Sequence, residues 1–145
     1  MIEPATSETL SEILPLIREY QTFYQVEDIC DDRNHVFFSQ FGPDNPAGCQ
    51  FLYRHEGQVV AFATVYFTFT STITAKVATL NDVYTLPEYR GQGIARQLID
   101  YCRDFAIDSG AKRLQWVTAP DNKTAQSLYD SMDTSKSTWH FYTYS

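Results

Sequence analysis

Cysteine is scarce: Cys30, Cys49 and Cys102 are the only three in 145 residues. Odd in number, far apart and without a CxxC pair, they exclude a disulfide framework and read as reduced thiols, the state expected in cytoplasm. Positive charge is scarce as well. Eleven Lys and Arg against eighteen Asp and Glu leave a formal charge of -7, which disfavours the phosphate-neutralising surface that nucleic-acid binding requires and favours cationic partners. No stretch stays apolar for the roughly 18 residues of a membrane span, and the first residues lack a basic start followed by an apolar run. Neither a spanning helix nor a secretory leader is expected. His35, His55 and His140 lie apart from one another and from paired Cys or carboxylates, so no metal site is expected.

What the chain has in quantity is apolar and aromatic mass. A hydrophobic share of 43% with ten Tyr and ten Phe suffices for one sizeable core. A single domain over residues 1–145 is expected, since a chain of this length buries roughly 70% of its unfolded surface. Leu10, Ile13, Leu14, Ile17 and Tyr20 or Gln21 recur at helical spacing behind the cap-like Thr6 and Ser7. They predict a first helix to about Tyr24, kinked at Pro15 or regular only beyond it. Glu27, Asp28, Asp31 and Asp32 read as an acidic connector, and Val36, Phe37, Phe38 and Phe41 as one short second helix. β-Branched and aromatic residues dominate Gln50 to His55, Val59 to Thr70 and Val77 to Leu86, which predicts three consecutive antiparallel strands. The period then lengthens: Ile94, Leu98, Ile99, Cys102, Phe105 and Ala106 mark one face of a helix that Gly110 ends. A short strand from Leu114 to Thr118 follows, then a helix carrying Ala125, Leu128, Tyr129 and Met132 behind Asp121 or Asn122. A last strand, Thr138 to Tyr144, completes an α/β order with a mixed sheet.

Between the third of those strands and the amphipathic helix stand Arg90, Gly91, Gln92, Gly93, Ile94 and Ala95. Free amides at a helix start, glycines that admit close approach and a neighbouring arginine form an anion cradle suited to a pyrophosphate. A Walker-type phosphate loop is excluded because its Gly, Lys, Ser or Thr spacing is absent. A dinucleotide fingerprint fits weakly: its third glycine falls at Arg96, and Lys112 and Arg113 stand where a ribose-binding acid belongs. Taken alone, the loop is also compatible with a bare glycine turn that binds nothing.

The loop has company. Asn81, Asp82, Val83, Tyr84, Pro87, Glu88 and Tyr89 lead into it, and Arg90, Gly93 and Ala95 fill the pattern Arg or Gln, two residues, Gly, one residue, Gly or Ala. A second block follows with Asn122, Ala125, Leu128 and Tyr129. With these two blocks the chain resembles the GNAT superfamily of N-acetyltransferases, in residue detail over about Leu80 to Met132 and in element order over nearly its whole length. After the helix tyrosine the family commonly has Leu, Gly, Phe; this chain has Ser131, Met132 and Asp133. Its ending is similar to that of the polyamine acetyltransferase branch, where an irregular piece precedes a Trp-bearing strand.

The resemblance implies an acyl-CoA N-acyltransferase fold, a central mixed and mostly antiparallel sheet flanked by helices. It implies transfer of acetyl from acetyl-CoA to a primary amine by direct attack. In that reading Arg90 and the backbone of Gly91, Gln92, Gly93, Ile94, Ala95 and Arg96 receive the coenzyme pyrophosphate. Val83, Tyr84 and Thr85 pair through backbone with the pantetheine arm, the Val83 amide polarises the thioester carbonyl, and Asn122 holds the pantetheine from the next helix. Tyr129 protonates the departing thiolate, against a competing reading as a core aromatic. Polyamine-branch relatives often carry glutamate where Asn81 stands, and Asn81 is no useful proton acceptor. Asp82 is then either the base, directly or through water, or a hydrogen-bonded support for the strand end.

Glu27, Asp28, Asp31 and Asp32, with Asn81, are the candidate acceptor-binding residues; the acidic cluster suits a small polyamine or lysine-like amine, or else is a solvated loop. Trp139, Phe141, Tyr142 and Tyr144 suit burial across the two-fold of a homodimer. The reading from another class is a non-catalytic CoA-binding sensor or interaction module that keeps the fold. Acyl transfer to an acceptor other than an amine is a third.

Overall fold

Alternating β-branched and aromatic residues make the middle of the chain a continuous ladder. In the computed structural model, which describes residues 1–145, the strands are β1 (Ile2–Pro4), β2 (Gly48–His55), β3 (Gln58–Thr70), β4 (Ala75–Thr85) and β5 (Leu114–Gln115). They form one sheet in the order β1-β2-β3-β4-β5, antiparallel throughout except for the parallel pair of β4 and β5. The helices are α1 (Leu10–Phe23), α2 (Asp31–Phe38), α3 (Ile94–Asp108) and α4 (Lys123–Asp130), with a 3-10 turn at Pro87–Tyr89. The mixed, mostly antiparallel sheet flanked by helices is the fold class that the sequence implies.

Successive strand residues point to opposite faces, and the sheet uses both. Phe51 meets Tyr101 and Phe105 of α3 at ring separations of 5.3 and 4.8 Å. Its neighbour Leu52 stands opposite Phe62, whose ring packs on Tyr20 of α1 at 5.9 Å. Ile13, Leu16 and Ile17 from α1, and Leu98, Ile99, Cys102 and Ala106 from α3, close the two layers and are buried. Burial pushes the Cys49 thiol up to about 12 and raises that of Cys102 as well, so both act as apolar filling. Arg54 ties three elements together, donating to Glu3 of β1 at 3.1 Å and to Glu12 of α1 at 2.8 Å. That guanidinium holds the Glu12 carboxyl below its ordinary value.

Departures from the sequence pattern have local causes. α1 runs through Pro15 as one helix, although the missing N–H deprives the Ser11 carbonyl of its usual donor. α2 begins at Asp31 rather than near Val36. Cys30 Sγ accepts from the Arg33 amide at 3.5 Å, and Asp31 and Asp32 occupy the first turn, where carboxylates suit the positive helix end. The acidic connector is therefore partly helix. β1, with three residues against Phe51 to Tyr53, is too short to show a period and escapes a sequence reading. β5 is shorter than the Leu114 to Thr118 span: only Ala78 with Leu114 and Thr79 with Gln115 pair.

The expected last strand is corrected. Thr138 to Tyr144 form no strand, and Trp139, Phe141 and Tyr142 are 85%, 88% and 88% exposed. Aromatic alternation supplies propensity, but a strand exists only where its amides and carbonyls find a partner edge, and this segment pairs with none.

Candidate active site

β4 is paired with β3 from Ala75 to Thr85 but with β5 only at Ala78 and Thr79. Its second half therefore has one free backbone edge. The Leu86 amide donates to the Val60 carbonyl at 2.9 Å. Backbone groups alternate from side to side along a strand, so those of Val83 and Thr85 face away from β3 into the gap. The Thr85 carbonyl agrees, since it accepts from Arg90 Nε at 2.9 Å. Thr64 stands opposite Asp82 while Val65 stands opposite Leu80, which makes Asn81 the extra residue of a β-bulge.

The gap widens into a cavity of about 490 Å³ between β4, the start of α3, the segment after β5, and α4. At one end lies the glycine loop. Gly91 and Gly93 have φ of 78° and 80°, left-handed values that suit glycine. The first bond of α3 runs from the Gln97 amide to the Gly93 carbonyl at 3.1 Å, so the amides of Ile94, Ala95 and Arg96 precede the intrahelical ladder. A Cβ at Gly91 would meet nothing within 4 Å, and one at Gly93 only Gln97 Nε2 at 4.0 Å. These glycines are thus required by backbone shape and open approach, not by packing, as an anion cradle demands. Arg90 lies over the Tyr84 ring at 5.3 Å, and Arg96 donates to Ser131 Oγ at 2.6 Å, tying α3 to the end of α4.

The opposite wall comes from β5 and α4. Asn122 Oδ1 caps α4 by accepting from the Ala125 amide at 3.2 Å. Tyr129 stacks edge-on against Trp116 at 5.3 Å and is half-buried, which raises its phenol above the ordinary value. On the α1 side, Tyr20, Phe23 and Tyr24 border the cavity. Asp82 lies behind this wall, 6% exposed. Asn81 Nδ2 donates to its Oδ1 at 3.0 Å, but burial outweighs the polar groups around it and raises the carboxyl.

The family model for acetyltransferase (GNAT) matches residues 12–133. The chain belongs to the GNAT family of acetyltransferases. An uncharacterized N-acetyltransferase, YhfO of Bacillus subtilis (strain 168), is 28% identical over 129 residues, 89% of this chain and 85% of that protein. Thialysine N-epsilon-acetyltransferase of Bos taurus is 35% identical over 86 residues, 57% of this chain and 50% of that enzyme, so the match spans half of the relative's length. Among solved structures, a probable acetyltransferase superposes with a TM-score of 0.86 at 26% identity, covering 100% of this chain and 97% of that one. An aminoglycoside N-acetyltransferase in complex with CoA shares the fold, with a TM-score of 0.79 at 16% identity over 100% and 98% of the two chains.

Within this GNAT frame the cavity brings together Val83, Tyr84, Thr85, Arg90, Gly91, Gly93, Ile94, Ala95, Arg96, Asn122 and Tyr129, along with Asn81. Gln92 and Asp82 do not line it, nor do Glu27, Asp28, Asp31 and Asp32. Asp31 accepts from Arg18 at 2.9 Å and Asp28 from Arg33 at 3.4 Å. Tyr20, Phe23, Tyr24 and Trp116 are lining residues that the sequence pattern did not single out. Their one signal was surplus: Phe23 and Tyr24 continue the aromatic run of α1 past the buried stripe and stay more than half exposed.

Proposed function

We propose that residues 1–145 act as one catalytic domain that moves acetyl from acetyl-CoA to a primary amine by direct attack. The free backbone edge of β4, running from the glycine cradle to Tyr129, carries this reading. Acetyl-CoA, when bound, supplies a thioester to be attacked and a thiol to leave. The amides of Ile94 to Arg96 and the Arg90 guanidinium would hold its pyrophosphate, and the gap-facing backbone of Val83 and Thr85 its pantetheine arm. The Val83 amide would donate to the thioester oxygen as charge develops there. Tyr129, kept protonated by burial, would give its proton to the departing sulfur, and Asp82, which does not itself border the cavity, would accept a proton from the acceptor side through water. The test is release of free thiol from acetyl-CoA with a panel of primary amines; CoA binding without thiol release under any of them would leave a CoA-binding module instead.

The acceptor we propose is a cationic amine, polyamine or lysine-like. Asp28 and Asp31 are engaged with arginines, while Glu27 and Asp32 make no ion pair and leave their negative charge available to a cation. Glu27→Gln with Asp32→Asn is expected to raise KM for 1,3-diaminopropane roughly 2- to 5-fold, an effect that added salt erases, with KM for acetyl-CoA unchanged. The free thiols of Cys30, Cys49 and Cys102 support a reducing, cytoplasmic setting.

We also propose a homodimer built on the exposed segment from Thr138. β5 is the last strand of the sheet and its outer edge is unpaired; an aromatic alternating segment and a free edge are complementary between two copies. Light scattering should report a dimer for the full chain and a monomer after removal of residues 138–145. Trp139 emission should move to the blue as protein concentration rises; a monomer at every concentration would overturn the proposal.

A further inference from the structure

We propose that Tyr20, Phe23 and Tyr24 form the specificity wall of the acceptor site. The wall selects a primary amine borne on an uncharged carbon arm, lysine-like, over a polyamine whose charges recur every few atoms. The inference rests on the acetyl-transfer reading and narrows its acceptor class.

The two ligands come from opposite sides. α1 and α3 lie on opposite faces of the sheet, as the contacts of Tyr20 with Phe62 and of Phe105 with Phe51 show. The glycine cradle opens α3, so a coenzyme anchored there reaches the gap beside β4 from the α3 face. The acceptor then approaches from the α1 face, where Tyr20, Phe23 and Tyr24 border the cavity. Arg90 and Arg96, both beside the cradle, are the only charged residues of the lining. With no carboxylate there, an ammonium in the middle of the arm would lose water and find no partner. Methylenes, by contrast, gain by covering the rings.

The rings are open yet fixed. Phe23 and Tyr24 are 58% and 55% exposed, whereas Ile13, Leu16 and Ile17 earlier in α1 are buried. Tyr24 packs on Tyr20 at 4.9 Å and meets Phe23 edge-on at 5.1 Å. Behind them the helix end is closed by a pair of backbone bonds. The Val26 amide donates to the Gln21 carbonyl and the Gln25 amide to the Thr22 carbonyl, each at 3.0 Å, with Gln25 at φ 58°. These are the two bonds of a Schellman closure, and they set the chain direction immediately after Tyr24. Glu27 follows three residues on, within about 11 Å of chain. A charge at the far end of the arm therefore has an unpaired carboxylate near the rim of the wall.

Alkylamines from propylamine to hexylamine carry one ammonium of nearly equal basicity and differ only in methylenes. With the wild type, kcat/KM should rise about 2- to 4-fold per added methylene. A series without that rise overturns the wall, with no variant needed. Phe23→Ala combined with Tyr24→Ala, shown to be folded by a thermal melt, should flatten the rise to less than about 1.5-fold per methylene, so that hexylamine loses far more than propylamine. Equal losses along the series, or an unchanged slope, would return both rings to ordinary surface. If the wild type releases no thiol with any primary amine, the acetyl-transfer reading fails instead. Saturation-transfer NMR on the CoA-saturated protein then decides the wall without turnover. Irradiating the aromatic protons should saturate the hexylamine methylenes in the wild type and much less in the double variant; transfer absent from the wild type, or undiminished in the variant, overturns the proposal.

Discussion

Gly93→Val should weaken acetyl-CoA binding by about 10²-fold or more, since it costs charge-assisted hydrogen bonds worth roughly 1.5–3 kcal/mol each. Gly93 holds φ at 80° immediately before α3, and a β-branched residue is a genuine outlier there. The backbone would leave that conformation and turn the amides of Ile94, Ala95 and Arg96 away from the incoming pyrophosphate. Bulk at this position would also stand in the ligand's approach, which is open in the native loop. The fold should survive, because a Cβ at this position would meet nothing closer than Gln97 Nε2 at 4.0 Å. Calorimetric titration with acetyl-CoA, alongside a thermal melt showing a folded variant, checks the expectation. Undiminished binding would remove the cradle from the account of the site.

Tyr129→Phe separates chemistry from binding. The phenyl ring can keep the edge-on contact with Trp116, so acetyl-CoA affinity should hold. The lost proton donor should lower kcat by about 10²-fold at saturating amine. The pH dependence carries the sign of the argument. Burial raises the Tyr129 phenol above 10.0, so it stays a donor at a higher pH than a free tyrosine. The fall in wild-type kcat caused by its ionisation should therefore lie at higher pH than a free tyrosine would give, and the variant should lack that limb altogether. A variant with wild-type turnover would return Tyr129 to the core.

Long-period elements and the loop between them were legible because their chemistry is local. The face of Ile94, Leu98, Ile99 and Cys102, the glycines at 91 and 93, and the cap at Asn122 each follow from residues within a turn or two. What escaped depends on partners distant in sequence. β1 exists because Phe51 to Tyr53 offer it an edge, and the segment from Thr138 is not a strand because no edge takes it up. α2 began early because two aspartates that look like a solvated connector also stabilise a helix start. The site divides in the same way. Backbone-made parts, the cradle and the edge of Val83 to Thr85, could be placed from a motif. Tyr20 could not: its stripe position on α1 resembles packing, and its place at the cavity against Tyr84, 64 residues later, is a product of the helix lying across the sheet.

A wedge need be only one residue thick. Asn81 has no partner on β3 and sits two residues beyond Thr79, the last place where β4 touches β5. A bulge bends its strand and increases the local twist, so the divergence of the two strands starts where the irregularity is. From there they open like a zipper halted after two teeth. The cleft is in this sense a property of the sheet itself and does not depend on any loop standing clear of it. The helices and connectors on the acceptor side can change in length or charge without closing it, whereas removal of the single residue at the apex would favour a continuous parallel seam and leave no room for a second molecule.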